Sequence, residues 1–352
     1  MKTVQIGPHL IGPGQPVYII AEAGANHEGD LETAEKMIVE AGLANIQCIK
    51  FQTYKAEKLV TRTAPMYWLD TDHRASNQFE MFSGLDGFDE PEWRRLIAKA
   101  DEVGITFMSS AWDEDSVDML DALGMTAFKV GSADITSLPL LTHIARKGKP
   151  MILSTGASTV GEIDAALQCI REEGNEDVIL LHCILTYPTH YVDANLQMMV
   201  WLQEVYPDIP LGYSDHTLAD PSMTVPIAAA AMGARVIEKH FTLDKSMPGN
   251  DHYLSMDPTD LVQWKASLDI LHQIKKETGQ RVLLPTEQKP REMARRSLVS
   301  QVAIPKGTVV TREMLTYKRP GLGIQPGELG KVVGRRSSVD IPEDQTLFWE
   351  MF

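Results

Sequence analysis

Two histidines carry the clearest chemistry in this chain. His216 lies in Gly212-Tyr213-Ser214-Asp215-His216-Thr217, and His240 lies in Glu238-Lys239-His240-Phe241-Thr242. Each phrase reads as the carboxyl end of a buried strand, with polar residues where the chain leaves the core. Two neutral imidazoles delivered by neighbouring strands can share one divalent metal. Two protein ligands leave positions for water and a substrate oxygen, the arrangement a Lewis-acid site needs.

Other strand ends add cations and hydroxyls. In chain order they hold Glu22, then Asn26 and His27; Lys50 and Gln52; Ser109 and Ser110; Lys129 and Ser132; Ser154; Ser214; and Lys239. Several lysines and hydroxyls on one mouth suit a phosphate and a carboxylate, which need donors and positive charge. The plain alternative for any one of these lysines is a satisfied internal ion pair. His27, His182 and His252 are weaker metal candidates, and Asp251 follows the last strand closely enough to reach the mouth.

The elements that must position these groups are legible as alternation. Short apolar runs occupy residues 17–22, 48–52, 106–110, 127–130, 151–154, 178–182, 211–214 and 235–239. Apolar residues recur at helical spacing over 31–43, 92–103, 115–123, 137–146 and 160–173. Short buried strands between amphipathic helices predict an α/β fold, a (β/α)₈ barrel with its site at the carboxyl ends of the strands. A doubly wound open sheet is the alternative, since alternation alone does not establish closure. Residues 1–16 read as a hairpin over the amino end of the barrel, which extends to 282. A polar, basic linker spans 283–297, and a small strand-and-turn domain fills 298–352. Within that domain a weak repeat relates Ile304-Pro305-Lys306-Gly307 to Ile341-Pro342-Glu343-Asp344. Roughly 55 residues make a small core, so this domain is expected to pack on another surface, its own barrel or a partner's.

Composition narrows the classes. The 352 residues are 43% hydrophobic with a formal net charge of -15, a folded chain ill suited to nucleic acid or anionic membranes. Cys48, Cys169 and Cys183 show no paired spacing, which fits a reducing, cytoplasmic setting. No apolar run reaches membrane-spanning length, and residues 1–8 lack the apolar stretch of a signal peptide.

The residues match a known family. The chain resembles the sialic acid (N-acetylneuraminate) synthases, or nonulosonate synthases, along nearly its whole length. The matching phrases are Ala21-Glu22-Ala23-Gly24-Ala25-Asn26-His27-Glu28-Gly29, Lys50-Phe51-Gln52-Thr53, Lys129-Val130-Gly131-Ser132 and Leu153-Ser154-Thr155-Gly156. They continue with Leu181-His182-Cys183, Tyr187-Pro188-Thr189 and both histidine phrases, and the tail from Leu298 resembles the family's antifreeze-like (SAF) domain.

The resemblance implies condensation of phosphoenolpyruvate with the open-chain aldehyde of an N-acylated amino sugar, releasing phosphate. It implies a divalent metal on His216 and His240, commonly manganese, with magnesium or cobalt as alternatives. It assigns phosphoenolpyruvate to Lys50, Ser110, Lys129, Ser132, Ser154 and Ser214, and the reacting carbons to Glu22. It places Gln52, Asp134, Tyr187 and Asp251 near the sugar. It also implies a domain-swapped homodimer in which Arg319 reaches the partner's barrel mouth.

Some positions depart from the commonest pattern of N-acetylmannosamine-using members. Asp134 stands where they often carry glutamate, Ala111-Trp112 replaces a common Pro-Phe pair, and Arg295 stands where some place an aromatic residue. Ala294-Arg295-Arg296-Ser297-Leu298 is closer to branches making pseudaminic acid, legionaminic acid or spore-coat polysaccharide precursors. Three other functions fit parts of the sequence: a lysine Schiff-base aldolase using Lys50, Lys129 or Lys239, a related synthase making another keto-sugar acid, and a non-catalytic sugar- or ice-binding protein.

Overall fold

The structure, a computed structural model, describes residues 1–68, 75–249, 251–275 and 279–352. Strands β1 (Val4–Ile6) and β2 (His9–Ile11) form an antiparallel hairpin. Then come β3 (Tyr18–Gly24), β4 (Cys48–Thr53), β5 (Thr106–Ala111), β6 (Phe128–Val130), β7 (Met151–Ser154), β8 (Val178–Cys183), β9 (Leu211–Asp215) and β10 (Val236–His240). These strands pair in parallel, and β10 closes on β3. The architecture is therefore the expected (β/α)₈ barrel and not an open sheet.

Helices begin where short polar side chains satisfy free backbone N–H groups. Asp30 accepts from Thr33 N at the start of Leu31–Leu43. Asp89 with Glu92, Thr159 with Glu162 and Asp257 with Asp260 form reciprocal capping boxes for Glu90–Val103, Val160–Glu172 and Pro258–Ile274. Glu90–Val103 starts two residues before the periodic apolar stretch, because Pro91 is tolerated in a first helical turn.

Two apolar cores share the strands. One lies between sheet and helices, with Ile19, Ile49, Phe51, Leu153, Leu180 and Ile237 facing the helices. The other plugs the barrel interior, with Tyr18, Ile20, Cys48, Met108, Ile152, Ile179 and Val236 packed on Val4, Ile6 and Ile11 of the hairpin. At Gly212 a Cβ would run into the backbone carbonyl of Val236, so the close approach of β9 to β10 requires glycine there.

Contacts divide the chain into Met1–Glu277 and Thr278–Phe352. In the second unit β11 (Ser297–Ser300) pairs antiparallel with β12 (Leu315–Lys318) over a core including Leu298, Ile304, Val310, Leu315, Ile341 and Leu347. The repeat has a structural counterpart: Ile304 and Ile341 exchange backbone hydrogen bonds at 2.8 and 2.9 Å. The stretch 283–297, read as a linker, contains the helix Gln288–Ala294 and the first residue of β11.

Candidate active site

Side chains of a strand alternate between two faces, so residues two apart point the same way. In β3 the inward series is Tyr18, Ile20, Glu22; in β4, Cys48, Lys50, Gln52; in β10, Val236, Glu238, His240. The first members belong to the apolar plug, and the later ones form a polar layer above it.

That layer is a closed charge network. Lys50 pairs with Glu22, donates to Ser110 Oγ at 3.3 Å and lies 3.9 Å from Glu238. Lys129 pairs with Glu238 at 3.2 Å, and Ser214 donates to Glu238 at 3.1 Å. Gln52 Nε2 donates to Glu22 Oε1 at 2.9 Å. All four charged groups are buried. Burial pushes the Glu22 carboxyl up to about 6, against the pull of Lys50. Burial would raise Glu238 too, but Lys129 and Lys50 outweigh it and hold that carboxyl below its ordinary range. Burial alone would lower Lys50, and the two carboxylates keep it above its usual value.

Two further serine hydroxyls belong to the expected set. Ser154 Oγ is buried without a hydrogen-bond partner among the described residues. Ser132 Oγ accepts from Gly156 N at 3.0 Å, and a Cβ at Gly156 would crowd that hydroxyl.

The histidines fit a metal. His216 Nδ1 donates to the Ile184 carbonyl at 2.8 Å when protonated there, which leaves Nε2 for coordination. His240 Nδ1 is buried without a hydrogen-bond partner among the described residues and lies 3.4 Å from Asp251 Oδ2. The two rings are 5.4 Å apart, with Tyr187 packed against both at 4.1 and 5.8 Å. Burial, then the neighbouring His216 and lysines, holds His240 well below its usual pKa, in the neutral form a metal binds. No group of three or more His, Cys, Asp or Glu side chains suited to one metal ion forms among the described residues. The protein therefore offers an ion two imidazoles, with Asp251 beside the second.

Gln52, Asp134, Tyr187 and Asp251 line a cavity of about 370 Å³ that reaches His240. Burial raises both Asp134 and Asp251 to about 6. Arg319 belongs to the second unit.

Two expected mouth residues face the other way. Lys239 is enclosed between sheet and helices, 2.7 Å from Asp215 Oδ2 and 2.8 Å from the Thr217 carbonyl. Asp215 also accepts from Tyr213 OH and Thr217 N, so the pair is a satisfied internal ion pair. Ser109 turns outward to Thr53 Oγ1 at 2.7 Å. Nearness to a strand end alone puts both at the mouth, and alternation excludes them.

The three weaker histidine candidates have structural partners. His27 stacks on Phe88 at 4.7 Å, and burial lowers its pKa to about 4. His182 bonds the Ala194 carbonyl, and His252 bonds Thr242 Oγ1. Sequence reading missed Glu238 as a site residue. Its signal was available: it precedes His240 by two and shares its face.

The chain matches the model of the NeuB family over residues 37–281 and that of the SAF domain over residues 295–352. It is 38% identical to the N,N'-diacetyllegionaminic acid synthase of Legionella pneumophila, over 96% of this chain and 95% of that protein. It is 35% identical to the human N-acetylneuraminate-9-phosphate synthase, over 97% and 94%. The solved N-acetylneuraminic acid synthetase of Leptospira borgpetersenii superposes with a TM-score of 0.72 at 31% identity, covering 82% of this chain and 95% of that one.

Proposed function

Since the chain belongs to the NeuB family, the nonulosonate synthases, and carries a SAF domain, we propose that it condenses phosphoenolpyruvate with the aldehyde of an N-acylated amino sugar. The products are a nine-carbon 2-keto acid and phosphate. The observation that carries this reading is the inward layer of Lys50, Lys129, Ser110, Ser154 and Ser214 beside two imidazoles.

Lys50, Lys129 and the serines bind the phosphate and carboxylate of phosphoenolpyruvate and fix its plane. A divalent ion on His216 and His240, manganese in our reading, would supply Lewis-acid polarisation of the aldehyde oxygen. The methylene carbon of phosphoenolpyruvate attacks the aldehyde carbon, and cationic character develops at the carbon bearing phosphate. Glu22 stabilises that charge and orients the water that adds there. The tetrahedral intermediate then breaks its carbon–oxygen bond to phosphate and becomes the ketone. A carboxyl near 6 is ionised at neutral pH, yet close enough to accept the water's proton in passing. Gln52 holds the Glu22 carboxylate in place.

The active assembly in this reading is a homodimer, with Arg319 of each SAF domain completing its partner's sugar site. Three free thiols fit the reducing cytoplasm. Reaction in ¹⁸O-water tests the mechanism. The label is expected at carbon 2 of a product containing all carbons of both substrates, with unlabelled phosphate. Label in the phosphate, or pyruvate as the product, contradicts it.

A further inference from the structure

One polar cluster beside the barrel mouth has no role in the condensation described above. The loop after β3 carries Asn26 and Glu28, and the loop after β10 carries Thr242, Asp251, His252 and Ser255. Asn26, Thr242, His252 and Ser255 are buried, and Glu28 is partly so.

Two hydrogen-bonded chains join these loops. In the first, Asn26 Nδ2 donates to the Phe241 carbonyl at 2.9 Å and to Ser255 Oγ at 3.1 Å, and Ser255 Oγ donates to the Asp251 carbonyl at 2.6 Å. In the second, His252 Nδ1 lies 2.6 Å from Thr242 Oγ1, and its Nε2 lies 3.3 Å from Glu28 Oε1. An ionised Glu28 can only accept, so His252 carries a proton on Nε2. Neutral His252 then accepts from the Thr242 hydroxyl through Nδ1. Gly249 packs over this second chain, where a Cβ would run into Glu28 Oε1 and the His252 ring. Apolar side chains could fill the same space without desolvating an amide and an imidazole. Hydrogen bonds add direction to filling, so such a network fixes positions.

Asp251 sits where the two chains meet. Ser255 holds its carbonyl, and the next residue is His252. Its carboxylate Oδ2 stands 3.4 Å from His240 Nδ1, which has no hydrogen-bond partner among the described residues. The group that meets the second nitrogen of a metal-binding imidazole sets the ring's orientation and tautomer.

We propose that Asn26, Ser255, Glu28 and His252 form a latch that holds the Asp251 carboxylate against His240. They are positioning residues, acting through Asp251 and not on the reacting atoms. The proposal rests on the reading of His216 and His240 as metal ligands.

Manganese binding to the metal-free, full-length enzyme tests the latch without turnover, read from the electron paramagnetic resonance of free Mn(II). Asp251→Ala is expected to weaken binding by about 10- to 100-fold, the usual cost of losing a group behind a metal-binding histidine. His252→Ala and Glu28→Ala are expected to weaken it similarly, while phosphoenolpyruvate affinity by calorimetry holds. Glu28→Ala removes a side chain that is partly exposed, so it gives this readout with the core intact. Glu28→Gln keeps an oxygen for His252 Nε2 and is expected to bind manganese like the wild type. Adding Glu28→Ala to Asp251→Ala is expected to cost nothing more, because the latch then has no carboxylate to hold. A purely structural cluster gives lowered melting temperatures with unchanged manganese affinity in His252→Ala and Glu28→Ala. That result overturns the latch and leaves the metal reading standing, as do additive losses in the double variant. A wild type that binds no manganese overturns the metal reading and the latch together.

Discussion

The lower and upper halves of the barrel interior are made by the same strands, on the same face, a few residues apart. Below, Ile20, Cys48, Met108, Ile152 and Val236 form an apolar plug. Two residues on, the same strands carry Glu22, Lys50, Ser110, Ser154 and Glu238. One step of roughly 7 Å along each strand separates a stability core from a charge network. The polar layer tolerates burial because its charges are paired and bonded, while the plug contributes by excluding water. The scaffold and the site thus meet at a plane, and side-chain parity decides which residues join either one.

The largest expected effect concerns the top of that layer. His240→Ala should lower metal-dependent phosphate release by about a thousandfold, the several kcal/mol a Lewis-acid site supplies. Steady-state kinetics checks it, and retained activity would remove the histidines from the chemistry.

Lys239→Met sharpens the contrast between faces. It strands a buried Asp215 and should cost about 3–5 kcal/mol in urea denaturation. The folded fraction should bind phosphoenolpyruvate with unchanged affinity. Ile179→Ala opens the plug and should cost about 2–5 kcal/mol with both KM values unmoved.

Lys129→Met acts on the inward face. Phosphoenolpyruvate affinity by calorimetry should weaken by about 10- to 100-fold, since hydrogen bonds to charged groups contribute ~1.5–3 kcal/mol. Equal effects on affinity from Lys129→Met and Lys239→Met would break the comparison.

The smallest effect is in pH dependence. Asp134, raised to about 6 by burial, keeps its proton where the unfolded chain has lost it, between about 4 and 6. Its contribution to stability is full below about 4 and is lost as pH rises through about 6. Beside the sugar, where the family resemblance puts it, its ionised form would accept hydrogen bonds, so kcat/KM for the sugar should rise through about 6. Asp134→Asn should flatten its share of both slopes, measured by melting temperature and by the pH–rate profile.

Much of this was legible in the sequence. The β7 run at 151–154 has the same bounds in the structure, because Gly148 and Pro150 precede an unbroken apolar stretch. The lysine and serine phrases announced strand ends. Which side each residue faces was not fully legible: Lys239 and His240 are adjacent, and only the pairing register of β10 fixes that His240 turns inward. Glu238 escaped notice because a buried glutamate inside an apolar run looks like one more strand residue until Lys50 and Lys129 arrive from distant strands. The contacts that gather the rings of Tyr54, Trp68, Phe82 and Trp112 beside the cavity were equally hidden, since these residues share no sequence spacing.

The most direct test of the account is phosphate release from phosphoenolpyruvate, measured with an N-acylated amino sugar before and after chelation of divalent metal. The account predicts release that requires the sugar, stops in chelator and returns with manganese. Full release in excess chelator, or release without sugar, would contradict it.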